Sequence, residues 1–471
     1  MEISLDDKWT TTTGRVVING TQAIGRVLLL QKQLDRQAGW NTAGYISGYR
    51  GSPLGNVDTS LWSIGARLRD ADIVFQPGLN EDIAATALRG TQQIDLVGGA
   101  RYDGVFAAWY AKGPGVDRAG DAFKHGNFAG THPKGGVVLF YGDDHAGKSS
   151  TVAHASEAAV AASLIPSLYP SDVGEVLRFG LLAFALSRYS GLWVGVKCVN
   201  EVAEQTATVD VTFDGFAPIL PSRPEGALSE VNIRSDNVYN PLGDERIVVD
   251  ERLPLVHAFV RANGLDRTLL RSPTGGLGII AAGKSCNDVR AALALLGLSQ
   301  DAAAHGGVSL YKPGCIWPLE PEGLAAFATG HEMLLVVEEK RSFIEMQVAQ
   351  ILVNRPDRPL LIGKRDAEGK PLLSAVDPFE PAMLAEVIAA QLDRLGLLPP
   401  AAASALTRLR QAAGSGLNEP AAPRRAPYFC SGCPHNRSTR VPEGSLSMTG
   451  IGCHTMVNFT RSDVALLPTQ M

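Results

Sequence analysis

Two groups of residues have the types and spacing of reactive chemistry. The stretch Gly142-Asp-Asp-His-Ala-Gly-Lys-Ser-Ser-Thr151 fits the phosphate-loop pattern G-x-x-x-x-G-K-S/T at every fixed position. Such loops wrap backbone N–H groups and one Lys around a polyphosphate, which would make the chain a nucleotide triphosphatase. Two features oppose that reading. Asp143 and Asp144 put carboxylates where the anion would lie, and each like-charge contact at about 5 Å costs on the order of 3 kcal/mol at an effective dielectric of about 20. The best later strand, Leu192–Val199, ends in Asn200-Glu201 rather than in the Asp that would hold magnesium. The second group is Cys430-x-x-Cys433 with Cys453. Three thiolates fall one short of the four that tetrahedral zinc or an iron–sulfur cubane takes; His435 or His454 could complete a zinc site, and thiols lining a turn near a cofactor are the plain alternative.

The elements that must position these residues are legible as alternating apolar and helical stretches. Strand-like runs at 15–19, 43–47, 104–109, 137–141 and 192–199 are interleaved with helical patterns at 22–36, 82–95, 149–162 and 172–188. Strand then helix, repeated, predicts an α/β fold with a doubly wound parallel sheet, whose ligands bind at the carboxyl ends of the strands. The turns there are rich in small and polar residues: Gly48–Gly55, Gln76–Glu81, Lys112–Gly115 and Gly142–Ser149. After a Pro-broken connector, further strands at 277–282, 308–311, 333–337 and 359–362, with helices at 288–296 and 383–395, predict a second, smaller α/β domain. A Pro/Ala-rich linker follows at 396–427. From residue 428 a last segment is too short to bury a core of its own, so it either docks elsewhere or belongs to a longer chain.

Composition excludes several classes. The 471 residues are 45% hydrophobic and 19% charged, with room for two or three domains. A net charge of −5 leaves no basic footprint for nucleic acid. No apolar run approaches 18 residues, so no membrane span is expected, and the acidic start Met1–Asp7 is not a signal peptide. Six Cys in so long a chain argue for a reducing cytoplasm rather than a disulfide framework. Cys198, Cys286 and Cys315 read as buried small residues, His125 and His132 as loop histidines, and Glu338-Glu339-Lys340-Arg341 as a solvated edge after a strand.

An ordered set of motifs resembles the indolepyruvate ferredoxin oxidoreductase family of thiamine-diphosphate-dependent 2-oxoacid oxidoreductases. Tyr49-Arg-Gly-Ser-Pro53, Asn80-Glu81 before an Ala-rich helix, Lys112-Gly-Pro-Gly-Val116, Pro170-Ser-Asp172, Tyr428-Phe-Cys-Ser-Gly-Cys-Pro-His435 and Gly450-Ile-Gly-Cys-His454 follow that family's order along nearly the whole chain. The resemblance implies a pyrimidine-binding-type domain at 1–225, a connector at 226–272, a transketolase C-terminal-like domain at 273–395, the linker, and the start of a diphosphate-binding-type domain at 428–471. It implies oxidative decarboxylation of a 2-oxoacid, indolepyruvate or another aryl pyruvate, to an acyl-coenzyme A with electrons passed to ferredoxin. Glu81 would be the carboxylate that bonds the pyrimidine ring nitrogen and promotes loss of the thiazolium proton; read alone, it is a helix-start Glu. Arg50, Ser52 and Lys112 would hold the substrate, and Gly51, Pro53 and Asn80 would line the cofactor. Cys430, Cys433 and Cys453 match three positions that ligate a 4Fe-4S cluster. No Gly-Asp-Gly, the family's magnesium and diphosphate segment, occurs in the chain. The polypeptide is therefore expected to be truncated, or to pair with a second one in a homo- or hetero-oligomer; a non-catalytic remnant or assembly subunit is the alternative.

Overall fold

The computed structural model describes residues 4–147, 152–223, 228, 231–233, 240–298, 301, 303, 306–415, 428–445, 447–450, 452–460 and 466–468. The chain divides into a larger unit, residues 1–149 with 153–406, and a smaller one, residues 150–152 with 407–471.

In the larger unit the strands in chain order are β1 (Arg15–Asn19), β2 (Thr42–Gly48), β3 (Ile73–Phe75), β4 (Gly104–Lys112), β5 (Val137–Asp143), β6 (Ser167–Leu168), β7 (Val194–Val199), β8 (Thr206–Asp210), β9 (Arg267–Leu270), β10 (Gly276–Ala281), β11 (Val308–Lys312), β12 (Cys315–Trp317), β13 (His331–Val337) and β14 (Leu360–Ile362). The first sheet has the order β12-β6-β7-β5-β4-β2-β3, parallel except for β12, which pairs antiparallel with β6. The second has the order β14-β13-β10-β11-β9, parallel except for β9.

The first sheet is covered on both faces, as its nearly continuous apolar strands require. Along β4, Phe106, Ala108 and Tyr110 join one core with Ile24, Val27, Leu28 and Val176 from the helices Gly20–Gln37 and Val173–Ser190. Ala107, Trp109 and Ala111 join the other core with Ala84, Ala85 and Leu88 of the helix Glu81–Thr91. The period-2 alternation of the strand thus sorts its side chains between two helical layers. The second sheet carries the helices Gly283–Leu295 and Pro381–Arg394. Because β12 leaves the second α/β part to join β6, the two sheets share one compact unit.

Several expectations change. β1 does not enter the parallel sheet; it pairs antiparallel with β8 in a separate two-stranded ribbon. The edge strand β3, three residues long, carries too little pattern to be read from sequence. The helix expected from Ser149 begins at Glu157, and residues 152–156 are not helical. The segment expected as a connector holds the helices Pro241–Arg246 and Leu253–Ala262, joined by a wider π-type turn at Ile247–Arg252, and then β9. Part of the expected linker is the helix Pro400–Ser415, consistent with its run of Ala; residues 416–427 lie outside the described residues.

Glu338, Glu339 and Lys340 are buried rather than a solvated edge. Glu338 accepts the N–H groups of Phe343, Ile344 and Glu345 at 3.0, 2.8 and 3.0 Å. Glu339 accepts from Lys284 Nζ at 2.7 Å and the Phe379 N–H at 2.7 Å, and meets His145 Nδ1 at 2.5 Å. Burial of such charges follows from these partners, which no local charge pattern reveals.

Candidate functional site

Four parallel strands of the first sheet, β3, β2, β4 and β5, lie side by side, so the loops after them share one edge. That edge, made of the strands' carboxyl ends and the segments after them, carries Glu81; Arg50, Gly51, Ser52 and Pro53; Lys112; and Gly142 onward. Backbone bonds stitch neighbouring segments together, Gly78 N–H donating to Gly48 O at 2.8 Å and Tyr49 N–H to Tyr110 O at 3.0 Å, and Leu54 N–H to Gly51 O at 2.7 Å closes a turn within the loop after β2. The Lys112 stem runs directly over Gly51, where a Cβ would stand 2.7 Å from Lys112 Cδ. A side chain at position 51 would have to displace the Lys112 stem.

Asn80 caps the helix Glu81–Thr91, its side chain accepting the Ile83 N–H at 2.9 Å. This role is structural and places Glu81 as the first helical residue. The Glu81 carbonyl accepts from Trp109 Nε1 at 3.0 Å, which ties the turn to β4. The Glu81 side chain is 11% exposed, and Arg118 Nε stands 4.0 Å from its Oε2. Gly115 lies against it: a Cβ there would stand 2.5 Å from Glu81 Cγ and 3.0 Å from Oε1. Glu81 therefore does not project into bulk solvent; it lies in a cradle that one added methyl would fill. A carboxylate so placed can accept a hydrogen bond from a heteroaromatic ring nitrogen, and this donor set fits the aminopyrimidine of thiamine diphosphate.

The structure brings Arg50, Ser52 and Lys112 to the same edge of the sheet as Glu81. Their side chains make no hydrogen bond or ion pair with any described residue. Beneath them the Tyr110 hydroxyl donates to Asp58 Oδ1 at 2.5 Å. Burial, then that bond, raises the Tyr110 pKa well above the usual phenol range, so it stays a neutral donor. Sequence reading missed this pair and also Arg118, because 37 residues of chain separate Glu81 from Arg118 and no spacing rule links them.

Asp143 is turned inward, accepting the Ser156 N–H at 2.8 Å and Ser156 Oγ at 2.6 Å, with Lys197 Nζ 3.6 Å away. The loop Gly142–Gly147 thus spends its first carboxylate on internal contacts, and residues 152–156 are not helical. Lys148 lies outside the described residues.

In the smaller unit Cys433 N–H donates to Cys430 O at 3.0 Å, and Cys433 Sγ is 3.2 Å from His435 Nδ1. The His435 ring stacks on Phe429 and on His454, with centroids 5.5 and 6.0 Å apart. Cys430 and Cys453 are exposed. Among the described residues no three His, Cys, Asp or Glu side chains gather as a metal site. Cys198, Cys286 and Cys315 are buried, as expected. Burial pushes the Cys198 thiol up to about 12 and the Cys286 thiol up to about 11, which leaves both unreactive at neutral pH. His132, a loop histidine, is buried with Nε2 2.7 Å from Asp95.

Residues 267–415 match the Indolepyruvate oxidoreductase domain family. The chain is 26% identical over 433 residues to the indolepyruvate oxidoreductase subunit IorA of Methanothermobacter marburgensis, covering 88% of this chain and 61% of the relative. It is 25% identical to the IorA of Methanothermobacter thermautotrophicus, covering 93% and 65%, and 26% identical to that of Pyrococcus abyssi, covering 92% and 62%. The chain thus spans 61 to 65% of the length of these relatives. Its fold is similar to that of the 2-oxoglutarate:ferredoxin oxidoreductase from Magnetococcus marinus, with a TM-score of 0.58, 14% identity, and 81% of this chain and 66% of that chain covered. The chain thus matches the Indolepyruvate oxidoreductase domain over residues 267–415 and is similar to indolepyruvate oxidoreductase subunits over most of its length.

Proposed function

We propose that this chain is the part of a thiamine-diphosphate-dependent 2-oxoacid:ferredoxin oxidoreductase, acting on indolepyruvate or another aryl pyruvate, that grips the aminopyrimidine ring. The observation that carries this reading is Glu81, nearly buried at the carboxyl edge of a parallel sheet and cradled by Gly115. Thiamine diphosphate supplies a nucleophilic carbon that adds to the 2-oxo group and takes up the electron pair left when carbon dioxide departs. Glu81 holds a proton between its carboxylate and the pyrimidine ring nitrogen, an exchange that low water access favours. Arg50 and Lys112 bring positive charge to the same sheet edge for the substrate carboxylate, and Ser52 adds a hydroxyl donor. Gly51 and Pro53 shape the loop against which the coenzyme lies, with Asn80 fixing the helix start.

The remaining partners in this reading are coenzyme A as acyl acceptor, ferredoxin as electron acceptor, and a further copy or subunit that completes the site. The diphosphate and its Mg2+ are assigned to no residue of this chain. No step is assigned to Cys430, Cys433 or Cys453. Among the described residues no helix is long and apolar enough to cross a membrane, which is compatible with a cytoplasmic enzyme.

The test is titration of the purified chain, alone and assembled with its partner polypeptide, with thiamine diphosphate and Mg2+, followed by indolepyruvate turnover with an artificial electron acceptor. The expected result is coenzyme-dependent turnover in the assembly that Glu81→Gln abolishes. An assembly that neither binds the coenzyme nor turns over is a non-catalytic one. Full turnover by the Glu81→Gln variant removes the role given to this carboxylate.

A further inference from the structure

A cleft of about 870 Å³ opens in the larger unit between the first turns of the helix Val173–Ser190 and the wall formed by β9, β11 and the helix Gly283–Leu295. None of the Glu81, Arg50, Ser52 or Lys112 side chains lines it. Its two walls are pinned across the base. Asn287 Nδ2 donates to Ser171 O at 2.8 Å, and Lys312 Nζ donates to Ser171 Oγ at 2.8 Å and to Glu175. Arg267 reaches the same Glu175 carboxylate. Burial alone would raise the Glu175 pKa, but the Lys312 ammonium outweighs it and holds the carboxyl below its usual range. Asp172 is occupied as the helix cap, accepting the Glu175 N–H at 2.9 Å. Both carboxylates on the cleft wall are therefore committed to internal partners.

The cations are not all committed. Arg178 on one wall and Arg290 on the other line the cleft, and neither makes a hydrogen bond or ion pair with any described residue. The remaining lining is apolar, with Leu270, Leu293 and Leu298 among it. A preformed cleft of this size, with a mixed polar and apolar lining and two uncommitted guanidinium forks, has the make-up of a small-molecule site. The planar fork of Arg matches carboxylate and phosphate oxygens in pairs. An apolar body would bury surface against the leucines at about 25 cal/mol per Å².

We propose that this cleft binds an amphipathic organic anion, with a phosphate or carboxylate headgroup held between Arg178 and Arg290 and an apolar body laid against Leu270, Leu293 and Leu298. The site lies where the two sheets meet, apart from the Glu81 edge, and does not depend on the function proposed for that edge.

The test uses the full chain and isothermal titration with phenyl phosphate, inorganic phosphate and benzyl alcohol as probes. Phenyl phosphate is expected to bind once per chain and saturably, inorganic phosphate at least five-fold more weakly, and benzyl alcohol not measurably. Arg178→Ala and Arg290→Ala are each expected to weaken phenyl phosphate about ten-fold, with Tm unchanged because both side chains are exposed. Leu293→Asn should weaken phenyl phosphate while leaving inorganic phosphate as it was. Absence of phenyl phosphate binding, binding unchanged in the double Arg variant, or equal affinity for the two phosphates would each overturn the proposal.

Discussion

At the meeting of the two sheets, His145, Glu339, Lys284 and Asp288 form a chain of close contacts, with Lys284 Nζ 2.7 Å from Glu339 and 3.0 Å from Asp288. Beside it Lys197 Nζ lies 2.6 Å from Glu157 and 3.6 Å from Asp143. At the Glu81 edge, by contrast, Arg50, Ser52 and Lys112 have no partner among the described residues, and glycines hold the backbones apart by no more than a hydrogen atom. Both regions are built largely at strand carboxyl ends and both are rich in charge. The difference lies in whether the charges are paired with one another: at the seam they are, although His145 Nε2 and Asp288 Oδ2 are buried without a hydrogen-bond partner among the described residues. Buried charges that answer one another hold parts of a molecule in register, whereas polar groups left unanswered beside a nearly buried carboxylate await something from outside.

The largest effect that could break this contrast is at Glu81. Glu81→Gln should lower turnover of the assembled enzyme about 10²–10⁴-fold, the usual range for a lost general acid–base group. Its melting temperature should stay near that of the parent chain. Gly115→Ala comes next. The added Cβ would stand 2.5 Å from Glu81 Cγ and must push the carboxylate aside, so turnover should drop about 10²-fold, as a displacement of about 1 Å commonly causes. Parent-like kinetics in this variant would show that the cradle does not set the carboxylate.

At the seam the opposite signature is expected. Glu339→Ala leaves His145 and Lys284 without their shared anion, and should cost about 3–5 kcal/mol of stability, read from the urea midpoint. The pH dependence sharpens the point. Burial alone would raise the Glu339 pKa, but the hydrogen bond and charge of His145, then those of Lys284, bring it down from 4.5 to about 2. A carboxylate depressed on folding stabilises the protein above its unfolded pKa, and the gain disappears as the pH falls from about 4.5 to about 2. Urea midpoints of the parent chain should decline over that window, by about 3 kcal/mol from this group. In Glu339→Gln the decline should be shallower by that amount, and an identical profile would remove Glu339 from the account. The smallest effects belong to Arg50→Ala and Lys112→Ala: about ten-fold in KM for the 2-oxoacid each, with urea midpoints within about 0.5 kcal/mol of the parent.

Much of this molecule was written locally. The alternation of apolar runs and helical patterns determined an α/β chain with a parallel sheet, because strand and helix periods are properties of neighbouring residues. The order of short motifs from Tyr49 to His454 carried the resemblance to a family, and Asn80-Glu81 before an Ala-rich stretch determined where a helix would begin with a carboxylate at its head. What tertiary structure decided were the relations between distant residues. It took β1 out of the sheet and paired it with β8, brought β12 across to β6, buried Glu338–Lys340 against partners up to 194 positions away, and set Gly115 under Glu81. It also showed that Asp143 is held by Ser156, so the opening likeness to a phosphate loop has a different physical content. Burial and ion pairing are set by which surfaces meet when the sheets close, and no pattern of nearest neighbours along the chain encodes that meeting.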